Sequence, residues 1–462
     1  MQTYKKPKYK KRKLLRVTAI IICLSILAAC LSTPKSSRHE QTTYFKHASE
    51  KERLFVDQIL GSMSIEQKVG QMIQAEINSI TPQEVRRYAI GSVLNGGGSF
   101  PYKDKYASAI DWVSLASELH AHSPKLTIDG NSTLIPILWG TDAIHGHNNL
   151  FDTTIFPHNI GLGAANDETL VKEVFSATAK DVQRTGIKWA FAPTVAVARN
   201  AHWGRTYESF SENSEHVARL SAAAVKGLQG DNIRDLPLAG KVIATAKHFI
   251  GDGGTLNGKD QGNVLLSEAE LLSIHGLSFE RAIDAGVQTV MVSFNSWNSE
   301  KVHGSQYLLQ SLLKGKMQFN GFVIGDWNGH AQINGCSKIA CAQAINAGID
   351  MLMVPKDWRL LLENTIEQVK QGIISEERIE DAVRRILSVK YRAGLFDDRF
   401  FNNNDNYNKA LVTKNAIESS SKNHSEQHRN LARKAVRKSL VLLKNNENTL
   451  PCLLYTSDAA DE

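Results

Sequence analysis

The sequence has almost no net charge outside its first residues, which argues against a nucleic-acid-binding protein. Its 462 residues include 54 lysines and arginines and 47 aspartates and glutamates, for a formal net charge of +7. Eight of the basic residues and none of the acidic ones lie in residues 1–29. The remainder therefore has 46 basic and 47 acidic side chains, a net charge of −1. No basic surface for phosphate groups is expected.

The apolar run near the N-terminus is too short for a mature membrane span. It covers residues 17–29, whereas a transmembrane helix needs about 20 apolar residues. A basic cluster before the run and small residues at its end are typical of a signal peptide, which we place at 1–29. An uncleaved single-span anchor is the alternative.

A lipid anchor is expected directly after this signal. The segment Leu27-Ala28-Ala29-Cys30 resembles a bacterial lipobox, so Cys30 is the expected lipidation site and residues 30–50 form the lipidated N-terminus and a polar tether. Leu31, not Asp, follows the cysteine, which by the same resemblance favours the outer membrane. We expect a periplasmic or cell-surface lipoprotein whose membrane contact is its lipid.

Cysteine is scarce, with five in the chain. Cys23 lies in the signal and Cys452 near the C-terminus. Cys336 and Cys341 are close in sequence, and an exported protein favours a local disulfide between them. Zinc is the alternative, but no second pair of ligands lies nearby, so we expect no metal.

The chain has no Gly-x-Gly-x-x-Gly fingerprint after its first predicted strand, which argues against a nucleotide-binding open sheet. From about residue 51, short apolar runs alternate with helical segments, which predicts a parallel α/β fold. A (β/α)8 TIM-like barrel and an open doubly wound sheet both fit this pattern. The expected strands are 90–94, 135–139, 189–193, 242–246, 287–292, 321–324 and 351–354. The expected helices are 50–60, 65–73 after an N-cap at Ser64, 168–184, 268–285, 361–372 and 376–393.

Ionisable residues follow several of these strands closely. Asp142, Lys247, His248 and Asp326 each stand at or just beyond the end of an apolar run. In a barrel the carboxyl ends of the strands surround the active site. Together the four residues predict a polar pocket at that end.

The residue types in this pocket suit the cleavage of a glycosidic bond. Asp326 offers a carboxylate for the anomeric carbon, and Trp327 beside it offers an aromatic face for a sugar. Arg205 could hold a sugar oxygen while Glu208 orients it, although the spacing also fits a surface ion pair. Met291 and Phe294 either line the pocket or belong to the core. His145 and His147 indicate a polar loop more strongly than a metal site.

Seven segments of the sequence resemble glycoside hydrolase family 3, particularly its β-glucosidase and exo-β-glucanase branch. The similarity extends from about residue 51 to Leu450 and rests on motifs in the order expected for the family. They are Leu94-Asn95-Gly96-Gly97-Gly98, Gly140-Thr141-Asp142-Ala143-Ile144-His145-Gly146, Ile155-Phe156-Pro157-His158-Asn159, Trp203-Gly204-Arg205-Thr206-Tyr207-Glu208-Ser209, Ala246-Lys247-His248-Phe249, Gly251-Asp252-Gly253-Gly254 and Gly321-Phe322-Val323-Ile324-Gly325-Asp326-Trp327.

The resemblance implies a TIM-like barrel followed by an α/β sandwich domain, and hydrolysis with retention. It implies that Asp326 is the nucleophile and that Trp327 flanks the next sugar subsite. The positions that match the family's substrate pocket are Asp142, Arg205, Lys247, His248 and Met291. No cofactor is expected.

Three departures from the family pattern affect the expected specificity. Gln261 stands where related exo-glucanases have a sugar-contacting Glu, and Phe294 replaces a Tyr of some relatives. The N-acetylglucosaminidase branch has a catalytic His in a loop after its Lys-His segment. Residues 258–262 contain no His, which argues against that branch.

The expected domain plan is a catalytic barrel at 51–397, a linker at 398–435 and the start of a truncated α/β sandwich domain at 436–451. A helical run at 430–436 is expected to lead to the first strand of that domain at 439–444. Residues 452–462 depart abruptly from the family pattern and resemble translated adaptor sequence, so a non-native tail is expected. The family's acid/base Glu would come from the second domain.

The expected function is a retaining exo-acting β-glucosidase. Its substrate would be a β-glucan or β-gluco-oligosaccharide, cleaved at the terminal glucosyl residue. A β-xylosidase or another exo-glycosidase on the same scaffold and a non-catalytic sugar-binding lipoprotein are the alternatives.

Overall fold

The computed structural model describes residues 49–397 and 414–451. The expected signal peptide, Cys30, nearly all of the tether, the first part of the linker and the expected tail at 452–462 lie outside these residues. No helix in the described ranges has the length and apolar character needed to cross a bilayer.

The strands are short and lie between longer helices. They are β1 Ile73–Glu76, β2 Ser92–Asn95, β3 Lys125–Ile128, β4 Asn131–Leu134, β5 Leu138–Thr141, β6 Trp189–Ala190, β7 Thr245–Phe249, β8 Asn263–Val264, β9 Thr289–Val292, β10 Ser296–Trp297, β11 Glu300–Lys301, β12 Phe322–Ile324 and β13 Leu352–Met353.

The helices include the six expected ones in slightly altered form. They are α1 Glu50–Gly61, α2 Ile65–Gln71, α3 Pro82–Arg87, α4 Ala109–Ala121, α5 Asn159–Ala165, α6 Glu168–Gln183, α7 Ser214–Gln229, α8 Glu268–Leu271, α9 Leu277–Asp284, α10 Ala342–Ala347, α11 Trp358–Lys370, α12 Glu376–Arg392 and α13 Lys414–Ser439. The π-helical turns Leu272–Gly276 join α8 to α9, so the expected helix at 268–285 is interrupted by wider turns.

Parallel pairing organises the core strands into two sheets. One has the order β13-β1-β2-β5-β6 and the other the order β12-β9-β7. Isolated parallel bridges join their edges, between Trp189 and Ile243, Thr194 and Lys247, and Ile324 and Met351. The fold is a TIM-barrel-like α/β fold, which brings the carboxyl ends of parallel strands to one side.

The first core strand was not expected from the sequence. The expected helix at 65–73 ends at Gln71, and Ile73 begins β1. Ser64 caps that helix through a reciprocal pair of hydrogen bonds with Gln67, as expected. Gln74 interrupts the apolar pattern of β1, yet it is fully buried, and its side-chain NH2 donates to Ser92 at 2.8 Å.

Buried apolar side chains fill the space between the sheets and the helices. In α12 the apolar face is buried, and it consists of Ile379, Ala382, Val383, Ile386 and Leu387. Four completely buried strand residues, Leu138, Val290, Val323 and Ile324, belong to the same core. This packing fixes the strand ends that bear the candidate site.

The segment after residue 413 differs from the expected linker and strand. Helix α13 extends across most of residues 398–435, of which only a helical run at 430–436 was expected. Of the expected strand at 439–444, Ser439 ends α13 and residues 440–444 have no regular structure, with Leu440 to Leu443 exposed. A strand needs a neighbouring strand for its hydrogen bonds, and within the described ranges this segment has none.

Candidate active site

Asp326 lies two residues beyond β12, and its side chain is only 14% exposed. The main-chain N–H of Trp327 donates to its Oδ1 at 2.7 Å. Burial raises the pKa of Asp326 to about 6, although this hydrogen bond and the charges of Lys247 and Arg205 act in the opposite direction. Above that pH the group is a carboxylate held beside two cations.

Lys247 on β7 extends toward the end of β5. Its Nζ donates to Oδ1 of Asp142 at 2.8 Å. The lysine side chain is 4% exposed, whereas that of Asp142 is 53% exposed. The pair therefore joins the interior of the site to its open side, and the free oxygen of Asp142 can accept from a hydroxyl.

His248 contacts three charged groups at the centre of the site. Its Nδ1 donates to Asp252 Oδ2 at 2.8 Å, and its Nε2 lies 3.3 Å from Arg205 Nη2. An arginine only donates, so Nε2 accepts and the proton is on Nδ1. Burial, Arg205 and Lys247 hold the pKa of His248 well below its ordinary value. The same Nε2 lies 3.7 Å from Oδ2 of Asp326, which places this neutral imidazole beside the carboxylate.

Arg205 and Glu208 form a two-point ion pair, with Nε to Oε1 at 2.7 Å and Nη2 to Oε2 at 2.9 Å. The hydroxyl of Thr194 also donates to Oε2, at 3.2 Å. Burial alone would raise the pKa of Glu208, but Arg205 lowers it to about 2. The Glu208 side chain is 7% exposed, so this is an interior pair and not the surface pair that the spacing also allowed.

Trp327 and Met291 complete the boundary of the site. Trp327 is 42% exposed, and its ring lies against the main chain of Gly96, where an added Cβ would be 2.8 Å from it. Met291 is buried on β9, paired with Lys247 on one side and Ile324 on the other. Trp327 therefore offers an open aromatic face, while Met291 is a buried residue on the strand between β7 and β12.

Four further residues singled out in the sequence contact residues other than Asp326. His147 is fully buried, its Nε2 lies 3.2 Å from the Thr185 hydroxyl, and burial lowers its pKa to about 4. His145 Nδ1 contacts the carbonyl of Phe156. Gln261 accepts a hydrogen bond from Gln332, and Phe294 stacks on His303.

Neither pair of sulfur or imidazole residues assembles a metal site. A disulfide joins Cys336 and Cys341. Within the part of the chain that the structure describes, no group of three or more His, Cys, Asp or Glu side chains is arranged to hold a metal ion.

Sequence reasoning missed two residues of this site. Asp252 lies in the glycine-rich motif Gly251-Asp252-Gly253-Gly254, four residues after His248, and this spacing is the signal that could have indicated their contact. Burial raises the pKa of Asp252 to about 6. His303 accepts a hydrogen bond from the main-chain N–H of Asp326 at 3.1 Å. No sequence motif around His303 indicates this role, because the role depends on how the ends of β9 and β12 are placed.

The family model described as the Glycosyl hydrolase family 3 N terminal domain matches residues 64–389. The chain belongs to glycoside hydrolase family 3. The match covers the TIM-barrel-like part of the structure and every residue of the candidate site.

Similar proteins include glycosidases from several organisms. The chain is 32% identical to a lysosomal β-glucosidase of Dictyostelium discoideum over 93% of this chain and 53% of that protein. It is 28% identical to a periplasmic β-glucosidase of Salmonella typhimurium, with 86% and 48% covered. It is 29% identical to a β-xylosidase of Formosa agariphila, with 69% and 44% covered.

A solved structure of a family relative shares the fold closely. The exo-1,3/1,4-β-glucanase of a Pseudoalteromonas species is 48% identical, with a TM-score of 0.80, over 87% of this chain and 49% of that one. This family 3 chain thus spans about half the length of the relatives it matches.

Proposed function

We propose that the whole protein is a retaining exo-β-glucosidase that removes terminal β-D-glucosyl residues from glucans and oligosaccharides. The observation that carries the proposal is the placement of Asp326 in a pocket with Arg205, Lys247 and His248. A buried carboxylate beside fixed donors suits attack on an anomeric carbon and binding of sugar hydroxyls. The β-glucosidases among the similar proteins support glucose as the sugar.

In the proposed reaction, Asp326 attacks the anomeric carbon and forms a covalent glycosyl–enzyme. The bond to the departing oxygen breaks as that oxygen takes a proton from a general acid, which the family resemblance assigns to the second domain. Water then releases the sugar, and the two inversions give retention. The hydrogen bond from the Trp327 N–H holds one carboxylate oxygen, so the other oxygen, near His248, is the one that attacks.

The side chains of the proposed glucose pocket are held in place by hydrogen bonds to neighbouring side chains. Asp142 has one oxygen on Lys247 and one free, and Arg205 is held along one edge of its guanidinium, through Nε and Nη2, by Glu208. His248 is fixed by Asp252, which settles its orientation. Such preorganised groups lose little freedom when a sugar binds. Trp327 would then stack on the next sugar, outside this pocket.

We also propose that the eight core strands form one closed (β/α)8 barrel. The three isolated bridges between the two sheets support this. Two of them link β6 and the segment after it to β7 and the segment before it, and the third links β12 to the residue before β13. In the same proposal the barrel occupies 51–397 and residues 436–451 begin a second, α/β sandwich domain.

Export and lipid attachment remain part of the proposal. The periplasmic β-glucosidase of Salmonella typhimurium supports an exported location for this family member. Metabolic labelling with a tritiated fatty acid should label the full-length protein in a bacterial host. The Cys30→Ser variant should lose the label, and a label that persists would place the attachment elsewhere.

A mechanism-based label tests the proposed nucleophile. Incubation with 2,4-dinitrophenyl 2-deoxy-2-fluoro-β-glucoside should add one fluoroglucosyl group, because this leaving group needs little protonation. Peptide mass analysis should place the adduct on Asp326. Asp326→Asn should abolish it, whereas the control Asp284→Asn, an exposed carboxylate, should leave it unchanged. A full-length folded protein that gives no adduct, or gives one elsewhere, would refute the assignment.

The β-xylosidase of Formosa agariphila among the similar proteins makes β-xylosidase the second candidate. The matching 2-fluoro-xyloside distinguishes the two. Faster labelling by the glucoside supports a pocket that holds the sugar's C6 group, and faster labelling by the xyloside supports the alternative. A protein that binds glucose but is labelled by neither would instead be a sugar-binding lipoprotein.

A further inference from the structure

His303 lies between two strand ends, on the short 3-10 helix Val302–Gly304, and is 1% exposed. Its Nδ1 is 2.9 Å from the carbonyl oxygen of Ser293, and its Nε2 is 3.1 Å from the main-chain N of Asp326. A carbonyl only accepts and a main-chain N–H only donates. The two partners therefore require a proton on Nδ1 and a lone pair on Nε2, so the ring is neutral and in one tautomer.

The ring continues a strand pairing that ends just before the site. Strands β9 and β12 are paired in parallel up to Met291 and Ile324. Two residues further along in the same register, Ser293 would face Asp326. There the imidazole, in place of a direct main-chain bond, connects the two chains.

The same connection extends to β7. The N–H of Ser293 donates to the carbonyl of Phe249 at 2.7 Å. Phe249 follows His248 directly, so the main chain of Asp326 is joined through His303 and Ser293 to the strand that bears the sugar-pocket imidazole. The relative position of Asp326 and His248 is therefore set partly by His303.

The surroundings leave space for the ring and little else. Phe294 stacks on it, with centroids 5.8 Å apart and planes at 30°. On the other side, a Cβ at Gly329 would lie 2.2 Å from Nε2. Glycine at 329 is thus required for the imidazole to reach the Asp326 N–H.

We infer that His303 is a positioning residue that holds the main chain of Asp326 so that its carboxylate points into the sugar pocket. The inference rests on the proposed function, because it assigns a role relative to the proposed nucleophile. His303 contacts no reacting atom. Its effect is to restrict the nucleophile, and a displacement of about 1 Å in a reacting group can cost about 100-fold in rate.

Two substitutions test separately the hydrogen bonds made by Nδ1 and Nε2 of His303. His303→Asn keeps a donor near Nδ1 for Ser293 but has no atom at the position of Nε2. His303→Gln places an amide oxygen near the position of Nε2, where it can accept from Asp326. Adduct formation with the fluoroglucoside should slow by about 100-fold in the Asn variant. It should return to within about tenfold of the wild-type rate in the Gln variant.

Two further measurements make the result specific. Glucose affinity, measured by calorimetry, should stay within about twofold in both variants, because none of the pocket groups is removed. Amide exchange in the peptide 322–330 should quicken in His303→Asn and stay slow in His303→Gln. Gly329→Ala retains the histidine but forces its ring aside, so it should reproduce the slow labelling and the quicker exchange. This variant replaces His303→Asn in the test if the Asn variant does not fold.

The outcomes distinguish this inference from the proposed function. If the folded full-length wild type is not labelled, the proposed nucleophile is wrong, and the exchange data alone decide whether His303 holds this main chain. If the wild type is labelled and the Asn variant is labelled equally fast, His303 is not a positioning residue. Equal losses in the Asn and Gln variants, with reduced glucose affinity in both, would show a general packing role and also overturn the inference.

Discussion

At the scale of single residues, the site depends on one buried ion pair. The carboxylate of Glu208 has both oxygens on Arg205 and is almost fully enclosed. Arg205 also donates toward His248, so the pair orients two of the proposed sugar-binding groups. Because an interior charge without a partner is costly, this pair stabilises the fold only as long as both members are present.

Arg205→Met should therefore lower the free energy of unfolding by about 3 kcal/mol, the low end for a broken buried pair because the guanidinium is 29% exposed. Lys172→Met removes the exposed pair with Asp231 and should cost less than about 1 kcal/mol. Urea unfolding of both variants measures the difference.

The lowered pKa of Glu208 predicts how the contribution of this ion pair to stability depends on pH. The contribution of the pair is present above the ordinary value of 4.5 and is lost as pH falls toward 2. A gap between wild type and Arg205→Met that persists at low pH would contradict this account.

The raised pKa of Asp326 predicts how the labelling rate depends on pH. Only the carboxylate attacks, so the rate should rise with pH through about 6 and then level off. The charge of Lys247 lowers this pKa, so Lys247→Met should move the rising limb to higher pH. Asp252 also has its pKa raised to about 6, and Asp252→Asn removes its titration. A rising limb that disappears in Asp252→Asn would assign the titration to Asp252 instead.

Several residues of the candidate site could be predicted from the sequence, and the reason is local. Asp326 stands just beyond an apolar run, and Lys247 and His248 follow another one directly, so the parallel pattern alone predicts them near strand ends. In the structure Lys247 and His248 lie within β7, which extends to Phe249. His303 could not be found in this way, because it lies 23 residues before the residue it supports. Its partner atoms are defined only once β9 and β12 are built.

At the scale of elements, the loop after β2 supports the exposed aromatic residue of the site. Gly96 lies under the Trp327 ring, whereas an added Cβ on Gly97 would meet nothing within 4 Å. Gly96→Ala should displace the ring and weaken the binding of a β-linked glucose disaccharide by about tenfold, or about 1.4 kcal/mol. The binding of glucose itself should not change.

Gly97→Ala is the matched control for this loop. The measurement is calorimetry with glucose and the disaccharide, with both glycine variants made in the Asp326→Asn background so that the disaccharide is not cleaved. The control should leave both affinities unchanged. If Gly96→Ala and Gly97→Ala behave alike, Trp327 does not contribute to the second sugar's subsite.

Strand β1 shows why one element escaped the sequence pattern. A buried parallel strand normally appears as a continuous apolar run. Here Gln74 and Glu76 alternate with apolar residues, and Ile73 continues the helical periodicity of the preceding segment. The hydrogen bond from the Gln74 side-chain NH2 to Ser92 gives this buried amide a tertiary partner, and that partner is in place only once β2 is built.

At the scale of the whole molecule, helix α13 lies against outer helices of the TIM-barrel-like fold and was expected only in part. It packs against α5 and α6 and is held by ion pairs such as that between Lys434 and Glu173 at 2.8 Å. His428 Nδ1 also contacts Asp181 Oδ2 at 3.0 Å. The sequence of α13 is rich in polar residues, so its docking depends on a few positions.

Ala435 and Val436 make the docking of α13 testable, because these neighbours are 0% and 49% exposed. Ala435→Asp would force a carboxylate against the barrel, at a cost of about 3 kcal/mol or more. Amide exchange across residues 425–439 should then quicken by about 100-fold, because opening of the helix becomes easier. Exchange in the core strands should stay slow, since α13 lies outside them.

Val436→Asp is the control, because it places the same charge in solvent and should change the exchange of neither region. Equal exchange in the two variants would mean that α13 is not held through Ala435, and quicker exchange in the strands would mean that α13 is part of the barrel's own stability.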